Sequence, residues 1–310
     1  MTSHLDRPVR AARALPPSAV VGAPVIVGFD DSPASQAAVQ WAAAEAARFG
    51  SDLTVLSASE PPLGAPVGVG DLAGASRAAA GRGVALARSG DAGGVITGVG
   101  VVGGPAGELV ARSSVSGLVV VGRNRRSALQ AAVLGSVSFA VALHARCPVV
   151  VVGEGAERHP GPSWPVVVGT DGSVPALAAV ALAVELARGW QAPLEVVCAW
   201  RSPSLTAWQD APQGSSMVQS SALPWVSAAH TAVDEAMAQV GAVAPELTVI
   251  GTVVEGRADD VLVEQSRRAG VVVVGSRGQG GFAGLMVGSV SHGVMRRAAS
   301  PVMVVRRGSV

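Results

Sequence analysis

The chain is written twice. From Gly117 onward its distinctive stretches return at a constant offset of 153 residues: Gly117-Leu118-Val119-Val120-Val121-Gly122 as Gly270-Val271-Val272-Val273-Val274-Gly275, Gly135-Ser136-Val137-Ser138 as Gly288-Ser289-Val290-Ser291, and Cys147-Pro148-Val149-Val150 as Ser300-Pro301-Val302-Met303. Nearer the start, Val25-Ile26-Val27-Gly28-Phe29-Asp30-Asp31-Ser32 returns as Val166-Val167-Val168-Gly169-Thr170-Asp171-Gly172-Ser173, each followed by an alanine-rich stretch. Units of about 140 residues exceed the roughly 20–50 of solenoid repeats, so the duplication reads as tandem domains. The expected division is a disordered tail over 1–21, a first domain over 22–153, a linker over 154–163 where glycine and proline accumulate, and a second domain over 164–310.

Within each half, short valine-rich runs without alternation separate longer helical stretches. An unbroken β-branched run is how a strand buried on both faces of a parallel sheet reads. In the second half strands are expected near 165–169, 194–199, 247–254, 271–274 and 301–305, with helices near 174–188, 223–243, 257–268 and 288–299. That order predicts α/β architecture: two tandem doubly wound parallel sheets of five strands each, with ligand held at the strands' carboxyl ends.

Composition narrows the function. With 49% hydrophobic and 15% charged residues the chain can bury two cores, yet no apolar run reaches the 18 or more residues of a membrane helix. The first 23 residues carry Arg7, Arg10, Arg13 and Pro16-Pro17 but no continuous apolar core, which argues for a disordered tail over a signal peptide. Cys147 and Cys198 lie beside or within strands and read as buried free thiols, consistent with a cytoplasmic setting. A net charge of +1, 3% aromatic residues and no tyrosine speak against nucleic acid as partner, and the missing membrane span against a membrane. All 23 basic residues are arginine, so a phosphate loop that relies on lysine is excluded.

The remaining candidate is Gly275-Ser276-Arg277-Gly278-Gln279-Gly280-Gly281, continuing through Gly284 to Gly288-Ser289-Val290. It begins where a valine strand ends and gives way to a stretch of helical spacing that ends in Arg296-Arg297. Glycines let backbone N–H groups approach an anion closely, and the helix N-terminus adds partial positive charge. That suits a phosphate. Ser289 is placed either to cap the helix or to turn its hydroxyl toward a phosphate oxygen.

The spacing of Gly275, two residues, Gly278, nine residues and Gly288-Ser289 resembles the ATP-binding signature of the universal stress protein family, and the resemblance runs from about residue 22 to 307. It implies a Rossmann-like fold of the adenine nucleotide alpha hydrolase type, ATP as ligand with Mg²⁺ as a further candidate, and pairing of the two halves through their last strands, with homodimerisation left open. It places the second site at Gly169, Asp171, Ala199, Gly275, Ser276, Arg277, Gly278, Gln279, Gly280, Gly281, Gly288, Ser289 and Val290. Asp171 would face the nucleotide or a phosphate-bound Mg²⁺, and the main chain of Ala199 would meet the adenine edge. The counterparts in the first half are Gly28, Asp30, Ala58, Gly122, Arg123, Asn124, Arg125, Gly135 and Ser136. For Asp171 and Asp30 a helix N-cap explains the residue equally well, and the two roles are compatible. The turns Gly104-Pro105-Ala106 and Gly256-Arg257-Ala258 read as ordinary helix starts that resemble the family's turn below the nucleotide.

The first half departs from the pattern. Arg125 stands in place of the second glycine, and Ser127, Ala128 and Ala131 replace three more, while Arg123, Arg125 and Arg126 add charge that could attract phosphate. The first site is therefore either degenerate or occupied in altered form. The segment from Arg201 to Leu223 has no period and is long enough for a lid or a disordered loop. Rapid phosphoryl transfer needs a cationic clamp and a positioned water, and the sequence offers Arg277 and Asp171 with no evident base. A nucleotide sensor is thus favoured over a slow ATPase, and a non-binding scaffold is the third reading. Ser291-His292 are adjacent, but neighbours along a helix point apart, so no serine hydrolase is expected.

Overall fold

The computed structural model describes residues 22–61, 69–90, 94–123, 135–201, 223–278 and 288–306. Its first half runs β1 (Val25–Gly28), α1 (Pro33–Phe49), β2 (Leu53–Ser59), α2 (Val69–Arg88), β3 (Ile96–Val102), α3 (Pro105–Arg112), β4 (Leu118–Arg123), α4 (Ser136–His144) and β5 (Val149–Gly153). The second repeats the order with β6 (Val166–Gly169), α5 (Val174–Trp190), β7 (Leu194–Trp200), α6 (Leu223–Val243), β8 (Val249–Glu255), α7 (Ala258–Gln265), β9 (Val271–Gly275), α8 (Ser289–Arg297) and β10 (Val302–Val305). The tail and the segment expected as a lid lie outside the described residues, apart from Arg201 and Leu223 at the ends of the latter. No helix among the described residues is long and apolar enough to cross a membrane.

Ten strands form one sheet in the order β3-β2-β1-β4-β5-β10-β9-β6-β7-β8. Within each half every pairing is parallel, and the order turns back between β1 and β4 and again between β6 and β9. Valine-rich strands suit this position because successive side chains point to opposite faces, and both faces are covered. Val25, Val27, Leu118 and Val120 join Trp41 and Ala42 of α1 in one core, whereas Ile26, Val119 and Val121 join Leu109 of α3 and Val141 of α4 in the other. The alanines of α1 and α5 bring those helices close to the sheet. Ser32 and Ser173 start them, each accepting the N–H three residues on, with proline in the first turn.

The halves meet where β5 and β10 pair antiparallel, Val149 with Val304, Val150 with Met303 and Val151 with Val302. All six of these side chains are 2% exposed or less. A buried aliphatic side chain holds about 1.5–3 kcal/mol relative to exposure, so the seam is a core rather than a contact between two surfaces. Because it is antiparallel, the carboxyl ends of the strands in one half point opposite to those in the other.

A polar cluster crosses this junction. His159 is sandwiched between Trp41 of α1 and Trp190 of α5, with ring centroids 5.6 and 4.9 Å away. Trp190 Nε1 donates to Glu45 Oε2 at 3.0 Å, and Glu45 is fully buried. Burial pushes the Glu45 carboxyl up to about 8, against a smaller opposing effect of the Trp190 hydrogen bond. Burial also holds His159 down, to about 4.

Candidate functional site

The second half presents a cleft of about 230 Å³ at the point where its strand order turns back. Its walls are the carboxyl ends of β6 and β9 with the residues that follow them, and its floor includes the first turns of α7 and α8. This is where an open parallel sheet receives ligands. Of the residues proposed from the sequence, Gly169, Asp171, Ala199, Gly275, Arg277, Gly278, Gly288, Ser289 and Val290 line it. Ser276 is buried behind it, its carbonyl accepting the Gly288 N–H at 2.7 Å. Gln279, Gly280 and Gly281 lie outside the described residues.

Two hydrogen bonds fix the start of α8 against β9. Besides the Gly288 to Ser276 bond, Ser291 Oγ donates to the Gly275 carbonyl at 2.7 Å. Gly288 is the N-cap and Ser289 the first helical residue, so Ser289 does not cap the helix. No side chain among the described residues caps it, and its first-turn residues Ser289, Val290 and Ser291 line the cleft.

The aspartates also differ from a simple cap. Ser173 and Ser32 take that role, because the turns after β6 and β1 bring the fourth residue to the helix start. Asp171 Oδ1 instead accepts the Ser173 N–H at 3.0 Å, and Asp30 Oδ1 accepts the Ser32 N–H at 3.1 Å. Asp171 Oδ2 lies beside Gly278, where a Cβ would run into it. Its charge also helps burial raise the Cys198 thiol to about 11. One carboxylate could hold Mg²⁺ only together with phosphate oxygens, since that ion is commonly held by one or two carboxylates plus phosphates. No cluster of three potential metal ligands occurs among the described residues, so such an ion would depend on the phosphates.

Thr170, Ala176, Val197, Ala258, Leu262, Val274 and Ser291 line the cleft as well, and sequence reasoning passed over them as site residues. Ala258 and Leu262 were legible in principle, being one helical turn apart at the start of α7. Leu262 packs so closely on Gly169 that a Cβ there would approach Leu262 Cδ1 to 2.9 Å. The Ser291 hydroxyl is committed to Gly275 while the His292 ring packs edge-on against Phe139, 5.3 Å between centroids, which removes any hydrolytic pairing.

In the first half Gly28, Asp30, Ala58 and Gly122 end or follow β1, β2 and β4, and Gly135-Ser136 open α4, as their counterparts do. Asn124 and Arg125 lie outside the described residues. Arg123 departs from the expectation that its charge serves a phosphate. Its side chain is 5% exposed and its guanidinium turns to the other half, donating to the carbonyls of Met295 and Ala298, each at 2.9 Å. The unpaired carbonyls at a helix end compete successfully for it. Glu60 follows β2 where Arg201 follows β7, and Asp31 holds a positive φ of 63° where the second half has Gly172 at 74°.

The family profile described as "Universal stress protein family" matches this chain twice, over residues 23–153 and 165–306. Among similar proteins, universal stress protein Rv2623 of Mycobacterium tuberculosis (strain ATCC 25618 / H37Rv) is 34% identical over 297 residues, covering 91% of this chain and 96% of its own. Universal stress protein Rv2005c of the same strain is 33% identical over 294 residues, with 91% and 97% covered. A crystal structure of a universal stress protein from Archaeoglobus fulgidus DSM 4304 shares the fold at a TM-score of 0.68 and 18% identity, covering 93% of this chain and 97% of that one.

Proposed function

The chain belongs to the universal stress protein family, and from that premise we propose that it is a nucleotide-occupancy sensor of the stress response, holding ATP in its second half with slow or no hydrolysis. The observation that carries this reading is the cleft itself: the glycine backbone at Gly275 and Gly278, the N-terminus of α8 at Ser289 and the Asp171 carboxylate converge on one opening. Such a site favours a polyanion without a lysine. The apolar wall of Val197, Ala199 and Leu262 would take the base, and Mg²⁺ would sit between Asp171 and the phosphates.

Binding is favoured over turnover by the lining. Among its described residues Arg277 is the one cationic side chain and Asp171 the one carboxylate. A γ-phosphate clamp and a base for water would need more. The second half is the principal site, because the first spends Arg123 on a structural contact and has Arg125 where the second has Gly278.

Nucleotide released from the purified, denatured protein and identified by liquid chromatography and mass spectrometry tests this. About one ATP per chain, unchanged on standing with Mg²⁺, is the expected result. ADP accumulating from bound ATP would replace the sensor with a slow ATPase. A chain that neither carries nor takes up nucleotide at millimolar ATP would leave only a scaffold.

A further inference from the structure

We propose that Arg123, a residue of the first half, positions the nucleotide cleft of the second, an inference that rests on the nucleotide reading above. Helix α8 begins in that cleft at Gly288 and ends nine residues later at Arg297, about 13 Å away at 1.5 Å per residue. Because the seam is antiparallel, its far end lies beside the carboxyl end of β4. There Arg123 Nη1 and Nη2 donate to Met295 and Ala298, which are among the carbonyls the last turn leaves without a helical partner.

The clamp is built into the sheet. Arg123 pairs in register with Gly153, and a Cβ on Gly153 would run into the guanidinium Nη2. The arrangement is reciprocal. Arg306, just after β10, donates to the carbonyls of Leu143 and Ala145 at 2.6 and 3.0 Å, where α4 ends. Each glycine-loop helix is thus closed by an arginine of the opposite half. The two arginines are not equivalents by sequence: at the offset of 153, Arg123 corresponds to Ser276.

A two-turn helix moves as one body. Fixed at one end by Gly288 to Ser276 and Ser291 to Gly275, and at the other by Arg123, α8 presents its N-terminus to the cleft at one tilt and depth. Arg123 also places a cation at the helix C-terminus, where it complements the dipole whose positive end faces the ligand. Removing it frees the far end to shift, and the near end shifts with it.

The test compares full-length variants by calorimetric titration with ATP and Mg²⁺ and by thermal unfolding without nucleotide. Arg123→Met is expected to weaken ATP binding about tenfold, a typical coupling between separated sites. Arg123→Lys keeps a cation without the planar fork and is expected to recover part of the loss. Trp190→Phe removes the Trp190 hydrogen bond to Glu45 and so loosens the junction away from α8; it is expected to lower the unfolding temperature while leaving ATP affinity within about twofold. Should Arg123→Met fail to fold, Arg123→Lys decides alone, with a severalfold loss expected. Variants at Arg123 that bind like wild type overturn the inference, as does an equal loss in Trp190→Phe. Wild type that takes up no ATP overturns the nucleotide reading itself, and this inference with it.

Discussion

Gly278→Val is expected to weaken ATP binding about 100-fold or more while leaving the unfolding temperature of the nucleotide-free protein within a few degrees. A Cβ on Gly278 runs into Asp171 Oδ2, and that carboxylate is not free to retreat because its other oxygen holds the Ser173 N–H at 3.0 Å. Valine, stiff at its first torsion, has no rotamer that restores the space. Either the loop lifts away from the cleft or Asp171 swings out of it. Losing one or two charge-assisted hydrogen bonds to phosphate amounts to about 3 kcal/mol, hence the factor of about 100. The first half already carries Arg125 at the corresponding position. Calorimetric titration checks the prediction, and affinity within threefold of wild type would contradict it.

Glu45→Gln is expected to abolish a loss of stability that wild type suffers as the medium becomes alkaline. The folded carboxyl is raised from 4.5 to about 8, so the folded state binds the proton more tightly than the unfolded chain. Stability from this group is fully present below pH 4.5 and is lost as pH rises through 8. Glutamine keeps an acceptor for the Trp190 N–H and has no proton to lose. Between pH 5.5 and 8.5 the stability of the variant relative to wild type should rise by roughly 3 kcal/mol, at 1.36 kcal/mol per pH unit of imbalance. The comparison cancels His159, whose depressed value acts in the opposite sense, costing stability as pH falls from 6.5 towards 4. Urea unfolding of both proteins at the two pH values is the measurement. A constant difference between them would mean that Glu45 titrates like an exposed carboxylate.

The fold was legible because its determinants are local and written twice. Unbroken valine runs specify strands covered on both faces, and the starts Ser32-Pro33 and Ser173-Val174-Pro175 specify α1 and α5. The pairing of β5 with β10 was expected from family resemblance; Cys147-Pro148-Val149 and Ser300-Pro301-Val302 mark strands but do not say which partner each takes. At the site, glycine spacing brought out the loop, whereas Ala258 read as an ordinary helix start and Leu262 escaped notice, because small and aliphatic residues at a helix start look the same whether they pack or line a cleft. Arg123 was misjudged for a physical reason. Its charge suggested phosphate, but its partners lie 172 and 175 residues away, and only the folded sheet brings them within reach. Glu45 sits in an alanine-rich helix where a lone carboxylate reads as a solvent-facing residue, and its burial follows from Trp190 of the other half.

The reversal of strand direction at the middle of the sheet gives the protein a polarity that a tandem duplication need not have. The cleft bordered by Gly275 and Gly288 opens at one pole, and the corresponding Gly122 and Gly135 lie at the other. If the second half holds a nucleotide as proposed, that ligand would not reach the far pole, and a partner responding to it would either grip the cleft directly or sense what α8 conveys across the sheet. Duplication followed by divergence of one loop thus yields a body whose two ends differ.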